Sequence, residues 1–186
     1  MAEVVLFHHL LGLTDGVRAF ADVLRANGHT VHTPDLFGGV RPATLEEGAA
    51  LAETLEELTW EEYDGVVFAG ISWGVMTAQR LAQTRPGARG ALLFEACLPV
   101  TGDWAIGPWP DGVPVQIHGM NADPFFAGEG DIDAARELVE HAGDKLAHLY
   151  LYEGGGHLFT DSSLPSHDAA ATALVLERAL TFLADL

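Results

Sequence analysis

Short β-rich runs alternate with helical patterns from one end of this chain to the other, and this alternation constrains the fold more than any other feature. The β-rich runs are Val4–His8, His29–Thr33, Gly65–Ala69, Gly90–Glu95, Val113–Gly119 and Ala147–Tyr152. Between the first two, Val17, Phe20, Ala21 and Leu24 fall at helical spacing, and Gly28 follows as a stop signal. Thr44-Leu45-Glu46-Glu47 fits a capping box and predicts a helix running to about Leu58. Further helices are predicted over Val75–Gln83, from an Asp131 cap to just before Gly143, and after Ser166. Alternation of this kind gives parallel strands joined by right-handed crossovers, with helices on both faces. Runs such as GVVFAG and GALLFEA are apolar on both sides, as strands covered on both faces must be. The expectation is one α/β domain over residues 1–186, with a mostly parallel central sheet and no separate lid domain.

Composition narrows the class. At 186 residues, 48% hydrophobic and 19% charged, the chain has the length of one domain and an ordinary globular make-up. A core of this size folds without disulfides or metals, and with Cys97 as the one cysteine no intrachain disulfide can form. The opening MAEVVLFHHLLGLTDG has no basic region and no small-residue cleavage site, and no apolar run is long enough to cross a bilayer. A cytoplasmic protein, monomeric or homodimeric, is expected. The charge is lopsided: 27 acidic residues against nine basic ones, only Lys145 being lysine, for a formal charge of -18. Such a surface repels phosphate backbones and excludes nucleic acid as a partner. It keeps the protein soluble, and it also disfavours anionic substrates.

The chemistry centres on Gly70-Ile71-Ser72-Trp73-Gly74, a G-x-S-x-G pattern. The pattern alone is common by chance, but here it directly follows a buried strand and directly precedes a helix, the strand–turn–helix setting of a nucleophile elbow. The serine sits in a cramped turn, where side chains two residues before and after would collide with neighbouring elements. A serine hydroxyl needs a base, and the base needs an orienting acid. Strand Val113–Gly119 leads into Met120-Asn121-Ala122-Asp123-Pro124, and strand Ala147–Tyr152 leads into Glu153-Gly154-Gly155-Gly156-His157. Ser72, Asp123 and His157 thus follow in the chain order used by α/β-hydrolases, each just past a predicted strand.

The opening VVLFHHLLGLTDGVRAFADVLRANGHTVHTPDLFGG resembles the first β-α-β unit of the dienelactone hydrolase family, and the GISWG, NADPFF and GGGHLF segments stand where that family has its triad. The resemblance spans essentially the whole chain. It implies the compact α/β-hydrolase fold, a triad of Ser72, Asp123 and His157, and no cofactor. Three positions depart from the family pattern. Ser72 replaces the cysteine of the best-known members, His9 stands where they carry a glutamate, and Asp161 stands where they carry a substrate-binding arginine.

Around the triad, the oxyanion hole is expected from the backbone N–H groups of Trp73 and Leu10. Phe37, Trp104, Trp109, Phe125, Phe126 and Phe159 lie on loops at the expected active-site edge and form a candidate apolar rim, with His9 as an added substrate contact. Asp161 is expected to repel substrate carboxylates, and Arg41 is the arginine best placed to attract them. No histidine pair has metal-site company, so no metal is expected; His118 reads as a hydrogen-bonded core residue and Cys97 as a small buried hydrophobe. The leading expectation is a serine esterase or lactonase acting on small molecules. Thioester cleavage on the same triad, or a non-catalytic ligand-binding protein of the same fold, are the alternatives.

Overall fold

The computed structural model describes residues 1–55, 60 and 63–186. Its elements run β1 (Glu3–Phe7), α1 (Asp15–Ala26), β2 (Thr30–His32), α2 (Leu45–Ala52), β3 (Val67–Ile71), α3 (Gly74–Thr84), β4 (Gly90–Phe94), β5 (Val115–Met120), α4 (Asp131–Ala142), β6 (Ala147–Tyr152) and α5 (Ala169–Ala184). Among the described residues the strands form one sheet in the order β2-β1-β3-β4-β5-β6, and every neighbouring pair is parallel. The chain leaves β1 toward β2 on one side and resumes at β3 on the other. This reversal opens a crevice above the carboxyl ends of β1 and β3, the place where open α/β sheets bind ligands.

The pleat sorts alternate side chains to opposite faces. Val4, Leu6, Ala69, Ile71, Leu92 and Phe94 pack with Val17, Phe20, Leu24 of α1 and Val175, Ala179, Phe182 of α5. Val5, Phe7, Phe68, Leu93, Val115 and Ile117 face the other way, onto Val75, Ala78, Leu81 of α3 and Ala135, Leu138 of α4. Each fully buried Leu, Ile or Phe contributes roughly 1.5–3 kcal/mol, so both layers together dominate stability and fix the strand register.

Helix ends show where local signals held and where packing overruled them. Thr14 caps α1 by accepting from the Val17 N–H, and the helix ends at Asn27 just before Gly28. Thr44 accepts from Glu47 N–H, but the Glu47 carboxylate reaches back to Ala43 rather than to Thr44 itself, so the box is only half formed. Helix α2 ends at Ala52 with Glu53 as its C-cap, short of Leu58, which lies outside the described residues. Gly130, at φ 104°, occupies the cap position of α4. Asp131 is instead the first helical residue, and its carboxylate accepts from the Cys97 N–H at 3.1 Å. Asp168 caps α5 through Ala170 and Ala171.

The long β4–β5 connection carries no helix. Gln79, buried on α3, bonds both the N–H and the C=O of Leu98, at 2.8 and 2.9 Å. Gln83, one turn further down α3, bonds Gly107 C=O at 2.6 Å, and the Trp109 indole donates to Val113 C=O at 2.7 Å. The segment therefore starts at the carboxyl edge but is drawn down the side of α3 to the amino end of β5. No described helix is long and apolar enough to cross a membrane.

Candidate active site

Ser72 follows β3 immediately, at φ 50°, in the left-handed region that non-glycine residues rarely adopt. Two bonds hold it there: Ser72 N–H to Phe94 C=O at 2.7 Å, and Val75 N–H to Ser72 C=O at 2.8 Å. The flanking glycines are sterically required. A Cβ on Gly70 would come within 2.4 Å of Gly74 C=O, and one on Gly74 within 2.4 Å of Phe7 C=O in β1. The turn thus leaves no room for a side chain at positions 70 and 74, and the serine between them stands at the start of α3.

The base arrives from the far side of the sheet. Beyond β6, Gly154 (φ 132°) and Gly155 fold the chain against the β5 loop: Ala122 N–H bonds Gly154 C=O at 2.9 Å, and a Cβ on Gly155 would lie 2.8 Å from Ala122 C=O. The glycine run therefore carries His157 and clasps the loop holding Asp123. His157 Nε2 lies 2.9 Å from Ser72 Oγ, and its Nδ1 lies 2.8 Å from Asp123 Oδ2. The second Asp123 oxygen accepts from Phe125 N–H at 2.9 Å. Asp123 is fully buried, while the imidazole keeps a small exposed edge beside the Phe125 ring, 4.5 Å between centroids.

A cavity of about 250 Å³ opens over this chain of hydrogen bonds. Apolar walls come from Leu10, Leu45, Trp73, Val75, Met76, Ala96, Leu98 and Phe125. Its acidic lining is Glu95, Glu129 and Asp131, and among the described residues neither lysine nor arginine contributes to it. Leu10 and Trp73 both border it, as does Ser72. A second feature of the Leu10 loop is its clamp: Gly48 in α2 lies so close that a Cβ there would meet Leu10 C=O at 2.0 Å. A larger groove of about 500 Å³, beside Gln83, Trp109 and His141, shares no lining residue with the Ser72 cavity.

Most of the expected rim is elsewhere. Phe125 lines the cavity, but Phe126 and Phe159 are fully buried. Phe126 fills the space left by Gly119, whose Cβ would meet its ring at 2.3 Å. Phe37 packs behind Trp73, 5.4 Å between centroids, and against His8. The strapping of the β4–β5 connection to α3 removes the two tryptophans. Trp104 is 89% exposed, and Trp109 belongs to the separate groove.

His9 and Asp161 bind each other instead of facing substrate. Neither touches substrate space: both are fully buried, with His9 Nε2 2.8 Å from Asp161 Oδ2. His9 Nδ1 accepts from Leu11 N–H, which ties the ring to the loop that carries Leu10. Burial pushes the Asp161 carboxyl up, but hydrogen bonds from His9, Ser163 and Thr14 outweigh it and hold the group at about 2. Arg41 turns to Asp35 at 3.4 Å, outside the cavity lining. Next door, His8 accepts from Leu36 N–H on Nε2, which leaves Nδ1–H to donate to His9 C=O. Burial lowers its pKa to about 4, and it stays neutral.

Sequence reasoning missed Glu95. It stands one residue past β4 at φ 66°, buried, on the wall of the Ser72 cavity. Its Oε1 accepts from Thr160 N–H at 3.2 Å and Thr160 Oγ1 at 2.6 Å, and its Oε2 accepts from Phe159 N–H at 3.2 Å. Burial drives its carboxyl up to about 7, against the pull of Thr160 and of His157. The available signal was a lone carboxylate ending an otherwise apolar strand, at the same edge as the triad. Among the described residues, Glu95, Asp123 and His157 form one cluster of metal-type donors within 4.8 Å of one another. His157 and Asp123 are committed to each other, and both Glu95 oxygens to the histidine loop.

Comparison with known proteins places the fold. No family model and no curated protein matches the sequence. Among solved structures, a protein provisionally named dienelactone hydrolase from Klebsiella pneumoniae superposes at TM-score 0.70 with 14% identity, over 100% of this chain and 88% of that one. The dienelactone hydrolase-like promiscuous phosphotriesterase P91, from metagenomic libraries, gives 0.71 with 20% identity over 100% and 87%. A propionate-bound thermophilic esterase from Thermogutta terrifontis gives 0.64 with 18% identity over 99% and 83%. The chain has the α/β-hydrolase fold, and no separate lid domain is present among the described residues.

Proposed function

We propose that this protein is a cofactor-independent serine hydrolase that cleaves ester or lactone bonds of small, uncharged substrates. The observation that carries the reading is the continuous hydrogen-bond chain Ser72 Oγ–His157–Asp123, at 2.9 and 2.8 Å, facing an open cavity. In this reading Ser72 attacks the substrate carbonyl while His157 Nε2 takes its proton, and Asp123 holds the Nδ1–H tautomer and stabilises the imidazolium. The backbone N–H groups of Trp73 and Leu10 receive the oxyanion as it forms. Collapse of the tetrahedral species expels the alkoxide, which leaves protonated by His157, and an acyl group remains on Ser72. Water activated by the same imidazole releases the acid. Esterases among the structural neighbours are in keeping with this reading.

The acidic lining supports a neutral substrate. Each hydrolysis liberates a carboxylate beside Glu95, Glu129 and Asp131, and repulsion hastens its departure. A fluorophosphonate probe tests the reading directly, because only an activated serine reacts with it. Stoichiometric labelling at Ser72, with turnover of an ester or lactone panel, is expected. A chain that neither labels nor hydrolyses any member contradicts it.

A further inference from the structure

Two non-glycine residues beside the site have left-handed backbones, Glu95 (φ 66°) just past β4 and Leu158 (φ 61°) just past His157. Such conformations persist only where surrounding bonds over-determine them. The bonds here run to the Glu95 carboxylate from Phe159 and Thr160, the two residues after Leu158. Leu158 turns the chain sharply after His157, so that the next two N–H groups and the Thr160 hydroxyl all point at the Glu95 carboxylate. The strain at Glu95 aims its side chain back into that turn. Asp161, next along the chain, points away and is anchored separately to His9.

We propose that Glu95 is a positioning residue of the site: its carboxylate clamps the arc of chain that carries His157, and the imidazole is held on Ser72 only while all three hydrogen bonds are accepted. This assignment rests on the hydrolase reading for its kinetic consequences. The chemistry requires a carboxylate, since three donors converge on two oxygens and nothing else in the contact set accepts them. An amide in its place sets an NH₂ against a backbone N–H, and a protonated carboxyl presents a hydrogen where an acceptor is needed.

The clamp is also sensitive to pH. Burial keeps Glu95 close to neutral titration, at about 7. The charged groups around it come from each neighbouring element: Asp123 beyond β5, which opposes its ionisation, and His157 beyond β6, which favours it. Asp131 and Glu129, at the start of α4 and just before it, share the cavity. Donation from Thr160 favours the ionised form, so removing the hydroxyl raises the pH needed to set the clamp.

Three variants test this. In Glu95→Gln, kcat is expected to fall about tenfold or more with KM changed less than about threefold. Its crystal structure is expected to show the His157 ring displaced from Ser72. Thr160→Val, which keeps shape and the backbone N–H, is expected to move the acid limb of kcat/KM upward by about half a pH unit or more, and Thr160→Ser to restore it. The proposal is overturned if Glu95→Gln keeps both wild-type kcat and the His157–Ser72 contact, or if Thr160→Val has the wild-type profile. The ring position decides the Glu95 assignment even without turnover, whereas an unreactive Ser72 in the wild type strikes the hydrolase reading alone.

Discussion

His9 and Asp161, 152 residues apart in the chain, meet in the interior at 2.8 Å with neither side chain exposed. The contact ties the loop after β1 to the loop after β6. Through Leu11 N–H on the other ring nitrogen, it also fixes the backbone beside Leu10. Asp161 is therefore a structural anion, and its carboxylate satisfies Thr14 and Ser163 as well.

Asp161→Ala removes the shared acceptor of several buried donors. A loss of about 3 kcal/mol or more is expected, since each buried donor left without an acceptor costs about 1–3 kcal/mol, read by urea unfolding at pH 7. The folded pKa lies below the unfolded one, so the stabilisation is fully present above about pH 3.8 and is lost as pH falls through about 2. A loss under about 1 kcal/mol would show that these contacts contribute little.

Substrate charge follows from the cavity rather than from Asp161. Glu95, Glu129 and Asp131 line it without a cation. Two like charges about 6 Å apart repel by roughly 3 kcal/mol at an effective dielectric of about 20, before salt screening. The predicted kcat/KM for a neutral aryl ester exceeds that of a carboxylate-bearing lactone of similar size by about tenfold or more, with Glu129→Gln narrowing the gap. If the anion wins by that margin, the acidic lining does not govern selection.

The meeting of Ser72, His157 and Asp123 was legible because each stands just past a strand and the glycines around two of them announce sharp turns. The aromatic rim was not, because loop membership does not say which way a side chain faces. Phe126 is pulled inward by the space at Gly119, and Trp109 is carried off by the Gln79 and Gln83 straps. Glu95 was hidden for a related reason. Its partners are two backbone N–H groups and a hydroxyl 64 and 65 residues away, and backbone donors leave no trace in a sequence. The strand–helix order was legible throughout, since burial on both sheet faces writes itself into apolar runs.

Gly48→Ala separates helix propensity from site geometry. Alanine favours an exposed helix by about 1 kcal/mol over glycine, yet here its Cβ would meet Leu10 C=O at 2.0 Å. The Leu10 loop has to move, and with it one proposed oxyanion donor. A fall in kcat of about tenfold or more is expected; an unchanged kcat would remove Leu10 from the oxyanion hole.

Acid sensitivity is built into the sheet. Burial lowers the His118 pKa to about 3, with the Arg178 charge adding to it, while Tyr152 and Gln116 hold the neutral ring. A depressed folded pKa means that stability is full above about 6.5 and is lost as pH falls toward 3. Glu95 has the opposite sign, since ionising it costs stability as pH rises through about 7. The Tm of His118→Phe should therefore fall less steeply than wild type between pH 6.5 and 4. Parallel slopes would show that His118 is not the titrating group.

Replacing Ser72 tests the central claim most directly. The hydroxyl is largely buried and bonded only to His157 among the contacts described. Ser72→Ala is expected to shift stability by less than about 1 kcal/mol while lowering kcat/KM for the best ester by about a thousandfold or more. Ser72→Ala with unchanged unfolding and no turnover is the predicted result; Ser72→Ala that still hydrolyses the ester at a near-wild-type rate would contradict the account.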